Sequence, residues 1–311
     1  MHGADAERIY VQIPAYRDPE LLPTVADLVQ TAAHPERLVV RVAWQHGADE
    51  IDLEEPLRRL GPVHVLKSPA AESRGCNWAR AQLQACWSGE EYTLFLDSHH
   101  RFARGWDDTL VGMHQQLRRS GVERPVLTGY LPPYDPADDP AGRTDAVYRM
   151  DLAERRDGMM FRLTGHAVPD WPQLTAPVPT GYASLHLLFA EGAFNEVVPM
   201  DPDIYFFADE ITVGLRAFTH GYDLFHPHVV LGWHLYDRRT RRTHWADHRD
   251  WSRRNDRSLR RLRALYGGEV VGRMGLGDRR TRHDYEQFLG RQLQQLDPTE
   301  EDVHTMIGEA G

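Results

Sequence analysis

The segment Thr93–Phe102 joins an uncharged apolar run to a carboxylate, a serine and two histidines. A short continuous apolar run is typical of a strand buried on both faces of a parallel sheet. Alternation along that strand predicts that Asp97 and His99 share one side, while Ser98 and His100 face the other. A hard oxygen beside an imidazole can bind one divalent cation. The alternative is that these are loop residues that cap a helix or face water.

A third metal ligand is available later in the chain. His234 lies at the end of the apolar segment Tyr222–Leu235, which is predicted to be a strand. As a distal partner of Asp97 and His99 it would complete a set of one carboxylate and two imidazoles. A structural role for a lone histidine in such a position is the alternative.

Two further pairs stand at predicted helix starts. Arg74 and Asn77 are one turn apart at the beginning of the helix before Thr93, where backbone amides and the helix dipole favour an anion. Asp209 and Glu210 precede the helix Ile211–Thr219, where the dipole favours negative charge. Ordinary helix capping is the alternative for both pairs.

Strands and helices alternate through the first half of the chain, which predicts a three-layer α/β domain. In such sheets, ligands bind at the carboxyl ends of the strands. The predicted strands share continuous apolar runs: Arg8–Asp18, Leu38–Trp44, Val63–Lys67, Thr93–Phe102, Val126–Tyr130, Leu185–Ala190 and Tyr222–Leu235. The predicted helix after the first strand begins at Asp18-Pro19 as N-cap and first helical residue, and another runs from Glu72 to about Trp87.

The regular alternation then gives way to two proline-rich loops at 131–140 and 168–179, with a predicted edge strand at Met159–Leu163 between them. Long loops in a compact domain are often functional. An arginine-rich segment after Arg238 is interrupted by aspartates, which predicts a solvent-facing, salt-bridged helix. We therefore expect a catalytic domain at 1–240 and a C-terminal helical extension at 241–311.

Composition limits the function classes. The net charge of −10 over 311 residues argues against a general nucleic-acid-binding protein. No segment approaches the roughly 20 apolar residues of a membrane span, and the acidic N-terminus lacks a signal-peptide core. We therefore expect a cytoplasmic protein with no membrane span. Lys67 is the only lysine, so a bound phosphate would depend on arginines, backbone amides or a metal.

Five motifs recur in the order of a known family, and they are followed by a similar tail. They are Tyr-Arg-Asp-Pro-Glu (16–20), Arg-Gly-x-Asn-x-Ala-Arg (74–80), Phe-Leu-Asp-Ser-His-His-Arg-Phe (95–102), Phe-Phe-x-Asp-Glu-Ile (206–211) and His-Leu-Tyr-Asp-Arg (234–238), with the tail at 275–288. Over roughly Ile9 to Leu289 the chain resembles the polypeptide N-acetylglucosaminyltransferases, whose eukaryotic members modify hydroxyproline. These are related to the mucin-type polypeptide GalNAc-transferases.

That resemblance implies a GT-A fold, a UDP-GlcNAc donor, a divalent metal such as Mn²⁺ or Mg²⁺, and retention of the anomeric configuration. It places Asp97, His99 and His234 as metal ligands. Asp209 and Glu210 become the catalytic candidates, although they stand where a Gly-Glu-Glu or Glu-Glu pair is more usual. The residues expected to bind the UDP-sugar are Pro14, Tyr16, Arg17, Arg74, Asn77, Ser98, Tyr236 and Arg238.

The function expected from these features is metal-dependent sugar transfer from a UDP-sugar to a hydroxyl of a peptide, protein or peptide-like acceptor. Tyr134 and Trp171 are candidate stacking or packing residues on the acceptor side. Transfer to a small-molecule natural product is an alternative. Two other classes remain open: a catalytically inactive nucleotide-sugar-binding module, and a non-haem Fe(II) oxygenase, which also uses two histidines and one carboxylate. The oxygenase would need many short alternating strands.

Overall fold

The computed structural model describes residues 7–152, 163–206 and 209–293. Its strands are β1 (Ile9–Tyr16), β2 (Leu38–His46), β3 (Val63–Pro69), β4 (Tyr92–Leu96), β5 (His100–Phe102), β6 (Pro125–Thr128), β7 (Tyr148–Leu152), β8 (Leu163–Ala167), β9 (Val178–Pro179), β10 (Leu187–Glu191), β11 (Asp223–His226) and β12 (Gly232–His234). Its helices are α1 (Leu21–Thr31), α2 (Glu54–Arg58), α3 (Cys76–Gln84), α4 (Trp106–Arg119), α5 (Phe194–Val197), α6 (Asp209–Thr219), α7 (His244–Asp247), α8 (Trp251–Tyr266) and α9 (Arg282–Leu289).

The central sheet has eight strands in the order β3-β2-β1-β4-β10-β6-β11-β9. The first four run parallel, and β10 lies antiparallel between β4 and β6. Helices cover both faces of this sheet, so the predicted three-layer α/β architecture is confirmed. It is not the double-stranded β-helix that the oxygenase alternative requires.

The two faces of the sheet are packed by different helices. On one face α1, α2 and α4 bury Leu28, Leu57 and Leu110 against alternate residues of the strands. On the other face α5 and α6 pack against β6 and β10, while α3 packs near β2. The strands are therefore buried on both sides, as their continuous apolar runs predict.

Two predicted strands are broken in the structure. Thr93–Phe102 forms β4 and β5 with a turn at residues 97–99, and Tyr222–Leu235 forms β11 and β12. The second half of each segment leaves the main sheet, because β5 pairs antiparallel with β12 and brings His100 opposite His234. This side pair carries His234 to the carboxyl end of β4.

Two predicted helix boundaries are wrong, and one predicted strand falls largely outside the described residues. Helix α1 begins at Leu21 rather than at Pro19, since the Asp18 side chain instead accepts the backbone N–H of Glu20 in a tight turn. Helix α3 spans only Cys76–Gln84, because a 3-10 turn at Ala70–Glu72 and an extended stretch precede it. The predicted edge strand Met159–Leu163 lies outside the described residues except for Leu163, the first residue of β8.

The C-terminal helices form a third core around α6. Ile211 and Leu215 of α6 pack with Leu262 of α8 and Tyr285 of α9. The arginine-rich segment is helical in α8, as predicted, with its leucines buried on one side. No helix within the described ranges is long and apolar enough to cross a membrane.

Candidate active site

A cleft of about 190 Å³ opens at the carboxyl ends of β1 and β4. The start of α3 and the segment that follows β12 complete its walls. One part of the lining is polar and consists of Asp18, Asp97, Ser98, His99, His186, His234, Tyr236, Arg238, Arg241 and Arg242. The other part, half of whose residues carry aromatic rings, consists of Pro14, Tyr16, Gln45, Gly75, Cys76, Tyr205, Phe206, Thr243, His244 and Trp245.

Asp97, His99 and His234 converge in the polar half of the cleft. Each offers one ligand atom, and these atoms all lie within 4.8 Å of one another. The Nε2 atoms of His234 and His99 lie 3.5 Å and 3.9 Å from Oδ2 of Asp97. The predicted pairing of Asp97 with His99 therefore brings their side chains together, although a turn rather than a continuous strand positions them.

The unpaired ring nitrogens of His234 show that this donor set fits a divalent metal. Both ring nitrogens of His234 are buried without a hydrogen-bond partner among the described residues. Burial, with the neighbouring His186 as the next cause, holds the pKa of His234 well below its usual range. The imidazole is therefore neutral at physiological pH and its lone pair is available. One carboxylate and two imidazoles suit a first-row transition metal such as Mn²⁺.

Asp18 orients His99 from behind. Nδ1 of His99 donates to Oδ2 of Asp18 at 2.7 Å, and the hydroxyl of Ser98 donates to the same oxygen at 2.6 Å. This contact fixes the tautomer in which Nε2 of His99 carries the free lone pair. The sequence predicted Asp18 only as a helix cap, so this supporting role was missed.

Arg80 holds the other oxygen of Asp97. The buried guanidinium donates to Oδ1 of Asp97 at 2.9 Å and to Oδ2 of Asp209 at 3.2 Å. Burial raises the pKa of Asp97, but the polar contact with His234 and the charges of His186 and Arg80 outweigh it. The pKa of Asp97 is therefore well below its usual range, and the carboxylate is ionised.

Asp209 and Glu210 lie behind the cleft, at the start of α6. Neither lines the cleft itself. Burial, together with the charge of Asp209, raises the pKa of Glu210 to about 8. Burial also raises the pKa of Asp209, although Arg80 opposes this. The hydroxyl of Tyr130 donates to Oε2 of Glu210 at 3.2 Å.

The aromatic half of the cleft is a connected wall. Tyr16 packs on His244 with ring centroids 4.7 Å apart, and the hydroxyl of Tyr205 lies 2.6 Å from Nδ1 of His244. Gly75 has a φ of +115°, and a Cβ atom there would lie 2.6 Å from the Tyr205 ring. Only glycine fits at this point of the wall.

Four of the predicted donor-binding residues line the cleft, and they are Pro14, Tyr16, Ser98 and Tyr236. Arg238 is a fifth, and its guanidinium lies 5.5 Å from the Trp245 ring. The structure also places Arg241 and Arg242 in the wall, beyond the predicted set and beyond the predicted domain boundary at residue 240.

Three predicted donor-binding residues are not in the cleft lining. Arg17 is engaged by Asp49, Glu50 and Asp247. Arg74 lies before α3 and lines a separate cavity with Trp78, Asp203 and Arg254, among others.

Asn77 is buried, and its amide donates to the backbone oxygen of Ile204 at 3.1 Å. Helix α3 begins only at Cys76, so Arg74 precedes the helix while Asn77 lies in its first turn.

His186 is the main cleft residue that the sequence does not single out. Its Nε2 lies 3.7 Å from Oδ2 of Asp97, and its ring stacks on His234. The only sequence signal was a histidine at the edge of an otherwise apolar strand, Leu185–Ala190.

Tyr134, a predicted acceptor-side candidate, is buried, and its hydroxyl donates to Glu20 at 3.1 Å. Trp171 is half-buried in a 3-10 turn.

A model of the glycosyltransferase (GlcNAc) family matches residues 8–57 and 50–290. No curated protein sequence matches the chain. Among solved structures, the chain is similar to GalNAc-T7 crystallised with UDP, GalNAc and Mn²⁺, with a TM-score of 0.58 and 13% identity, over 98% of this chain and 58% of that one.

The chain is also similar to S. aureus TarS 1-349 in complex with UDP-GlcNAc, with a TM-score of 0.53 and 12% identity, over 91% of this chain and 70% of that one. The chain spans less than two thirds of GalNAc-T7. At these identities the likeness shows the fold, and the GT-A fold that the motifs imply is confirmed.

Proposed function

The chain belongs to the glycosyltransferase (GlcNAc) family, and we propose that it transfers a sugar from a UDP-sugar to a hydroxyl group of a peptide, protein or peptide-like acceptor. The observation that carries this proposal is the convergence of Asp97, His99 and His234 within 4.8 Å in the cleft of a GT-A fold. The family and the fold are established; the donor, metal and acceptor are what the proposal adds.

UDP-GlcNAc is the proposed donor. Two proteins of similar fold support a UDP-sugar, since GalNAc-T7 was crystallised with UDP and GalNAc, and TarS 1-349 with UDP-GlcNAc. The family model, which is named for GlcNAc, favours that sugar. In this chain, the wall that includes the rings of Tyr16 and Trp245 gives the nucleoside an apolar surface beside the polar centre.

Asp97, His99 and His234 would hold a divalent metal, Mn²⁺ or Mg²⁺, next to the donor diphosphate. When bound, the metal supplies Lewis-acid neutralisation of charge on the departing diphosphate. Arg238 and Arg241 line the same cleft. Their guanidiniums are placed to stabilise the negative charge that develops as the sugar leaves.

Retention of anomeric configuration is the proposed stereochemistry. The cleft lining offers no carboxylate other than Asp18 and Asp97 among the described residues, and both are engaged by the histidines. We therefore place acceptor attack on the same face as the leaving group. The acceptor oxygen bonds to the anomeric carbon, the bond from that carbon to the phosphate oxygen breaks, and the departing phosphate takes the acceptor proton.

A peptide-type acceptor, such as one presenting hydroxyproline, is supported by the motif resemblance. The loops at 131–140 and 168–179 border the acceptor side in this proposal, with the half-buried Trp171 as a stacking candidate. Asp209 and Glu210 act behind the cleft as positioning residues that hold Arg80 and Tyr130. A small natural product with a hydroxyl group is the second candidate acceptor.

The test is a panel of nucleotide sugars with Mn²⁺, read out as UDP release by slow hydrolysis. The proposal expects release from UDP-GlcNAc above that from the other donors, and loss of release with a chelator. Ser, Thr and hydroxyproline peptides are then compared with small hydroxylated acceptors by mass. Transfer only to non-peptide acceptors would overturn the acceptor assignment, and an absence of turnover with every UDP-sugar would overturn the donor assignment.

A further inference from the structure

Three imidazoles, rather than two, face one oxygen of Asp97. The Nε2 atoms of His234, His186 and His99 lie 3.5, 3.7 and 3.9 Å from Oδ2. His186 also lines the cleft, with its side chain 22% exposed. Its Nδ1 is buried and has no hydrogen-bond partner within the part of the chain that the structure describes. A third imidazole, and so a fourth side chain that can ligate a metal, is therefore present beside Asp97, His99 and His234.

The sheet register places His186 at this point. Strand β10 runs antiparallel to β4, and Leu187 pairs with Leu96. Extending that register by one residue brings His186 opposite Asp97. The position of His186 therefore follows from the central sheet rather than from a surface loop.

We propose that His186 is a fourth protein ligand, which makes this a three-histidine, one-carboxylate centre for a transition-metal dication in preference to Mg²⁺. The inference rests on the metal-binding role proposed above. Imidazole suits transition metals, whereas Mg²⁺ prefers oxygen ligands and water. Four protein ligands on an octahedral ion leave two positions, which matches the two phosphate groups of a nucleoside diphosphate.

The rings must move slightly for His186 to coordinate. His186 and His234 are stacked with centroids 4.2 Å apart and planes at 8°, so equivalent nitrogens lie about 4 Å apart in such a stack. Two nitrogen ligands at about 2.1 Å from one ion are roughly 3.0–3.4 Å apart. Between His186 and His234 the closure needed is below about 1 Å, and no hydrogen bond at Nδ1 of His186 opposes a small rotation. His186 lies outside the set of ligand atoms that are within 4.8 Å of one another, so its ring must also move towards that set.

A purely structural role for His186 makes a different prediction. Its ring lies between His234 and Tyr130, whose centroid is 4.6 Å away with planes at 19°. His186→Phe keeps a ring in this stack and removes the nitrogen. If His186 only braces His234, the Phe variant should bind metal as the wild type does.

The experiment uses the full chain and Mn²⁺ alone, without donor or acceptor. Free Mn²⁺ is measured by electron paramagnetic resonance in wild type, His186→Phe and the surface control His166→Phe. Pulsed resonance of the bound ion counts coupled imidazole nitrogens, and Mg²⁺ competition measures selectivity. The expected result is three imidazoles in the wild type, two in His186→Phe, an Mn²⁺ affinity at least tenfold weaker in that variant, and reduced selectivity over Mg²⁺.

The outcomes separate the two proposals. Two imidazoles on the wild-type ion overturn the role of His186 and leave the metal centre of Asp97, His99 and His234 in place. A wild-type protein that binds no Mn²⁺ overturns the metal centre itself. The nitrogen count in the wild type decides the matter even if the Phe variant does not fold.

Discussion

Two acidic regions share Arg80 and differ in protonation. On one side Asp97 faces three imidazoles, and the pKa of its carboxyl group is well below the usual range. On the other side Asp209 and Glu210 lie half-buried next to each other at the start of α6, and the pKa of each is raised. Both regions are largely shielded from water, so burial alone does not explain the contrast.

The difference shows that the neighbours of a buried carboxylate decide its charge. Asp97 has one guanidinium and several imidazoles around it, which favour the ionised form. Asp209 and Glu210 are adjacent to each other, and two like charges favour retention of a proton. The first region is therefore suited to bind a cation. The second is suited to act as a hydrogen-bonded support in which Glu210 keeps its proton near neutral pH.

The largest expected effect comes from removing the charge of the ionised region. Asp97→Asn keeps the size of the side chain but removes a metal ligand and the negative charge that Arg80 neutralises. We expect UDP release from the UDP-sugar to fall about 1000-fold, or about 4 kcal/mol of transition-state stabilisation. Steady-state kinetics measure this. The exposed Asp49→Asn is the control, and near-normal turnover in Asp97→Asn would contradict the role of the region.

The next effect is on stability and comes from the residue that the two regions share. Arg80→Met leaves Asp97 and Asp209 without their common guanidinium partner in a buried setting. We expect a loss of about 3–5 kcal/mol in the free energy of unfolding, as for other buried pairs that lose one partner. Urea titration measures the loss, and Arg58→Met, in an exposed pair with Glu54, should change stability by less than about 1 kcal/mol. A small loss of unfolding free energy in Arg80→Met would mean that the contacts of Arg80 with Asp97 and Asp209 contribute little to stability.

A smaller effect is expected from the support behind the ionised region. Asp18→Asn weakens the contact that fixes the tautomer of His99 without removing a ligand. We expect Mn²⁺ affinity to fall about 10- to 100-fold, the usual consequence of losing such a partner. Calorimetric titration with Mn²⁺ measures the change. The exposed Asp52→Asn is the matched control, and unchanged Mn²⁺ affinity in Asp18→Asn would assign Asp18 to the turn before α1 alone.

The last effect concerns the protonated region and the pH dependence of stability. Because the pKa of Glu210 is raised from 4.5 to about 8 in the folded protein, the folded state binds more protons than the unfolded state between these values. The free energy of unfolding should therefore fall as pH rises from about 4.5 to about 8, by at most about 1.4 kcal/mol per pH unit for this group.

Glu210→Gln should remove this contribution and flatten the profile across the same window. Urea titrations at pH 5.5, 6.5 and 7.5 test it, with the exposed Glu55→Gln as control. A profile in Glu210→Gln that is as steep as that of the wild type would show that Glu210 is ionised throughout.

The sequence predicted those positions in the two acidic regions that depend on local pattern. The apolar run before Asp97 and the alternation that pairs it with His99 are local features, and the structure brings both residues together. His234 was assigned through the order of motifs rather than through spacing. Asp209 and Glu210 were correctly placed at a helix start, but their raised pKa depends on burial that local pattern does not reveal.

The missed residues depend on long-range packing. Arg80 lies on α3 and joins two segments that are far apart in sequence, while His186 reaches the centre through the antiparallel register of β10. Asp18 looked like a helix cap because its local sequence, Asp-Pro, favours one. Arg74 was wrongly placed within a helix, since the predicted one-turn spacing to Asn77 assumed that α3 begins earlier than it does.

The most direct test of the central claim is calorimetric binding of UDP with and without Mn²⁺, in the wild type and in His234→Ala. If Asp97, His99 and His234 hold a metal that contacts the diphosphate, Mn²⁺ should strengthen UDP binding to the wild type at least tenfold. The same addition should leave UDP binding to His234→Ala unchanged, with circular dichroism showing an intact fold. Equal UDP affinity of the wild type with and without Mn²⁺, or a full Mn²⁺ effect in His234→Ala, would contradict the account.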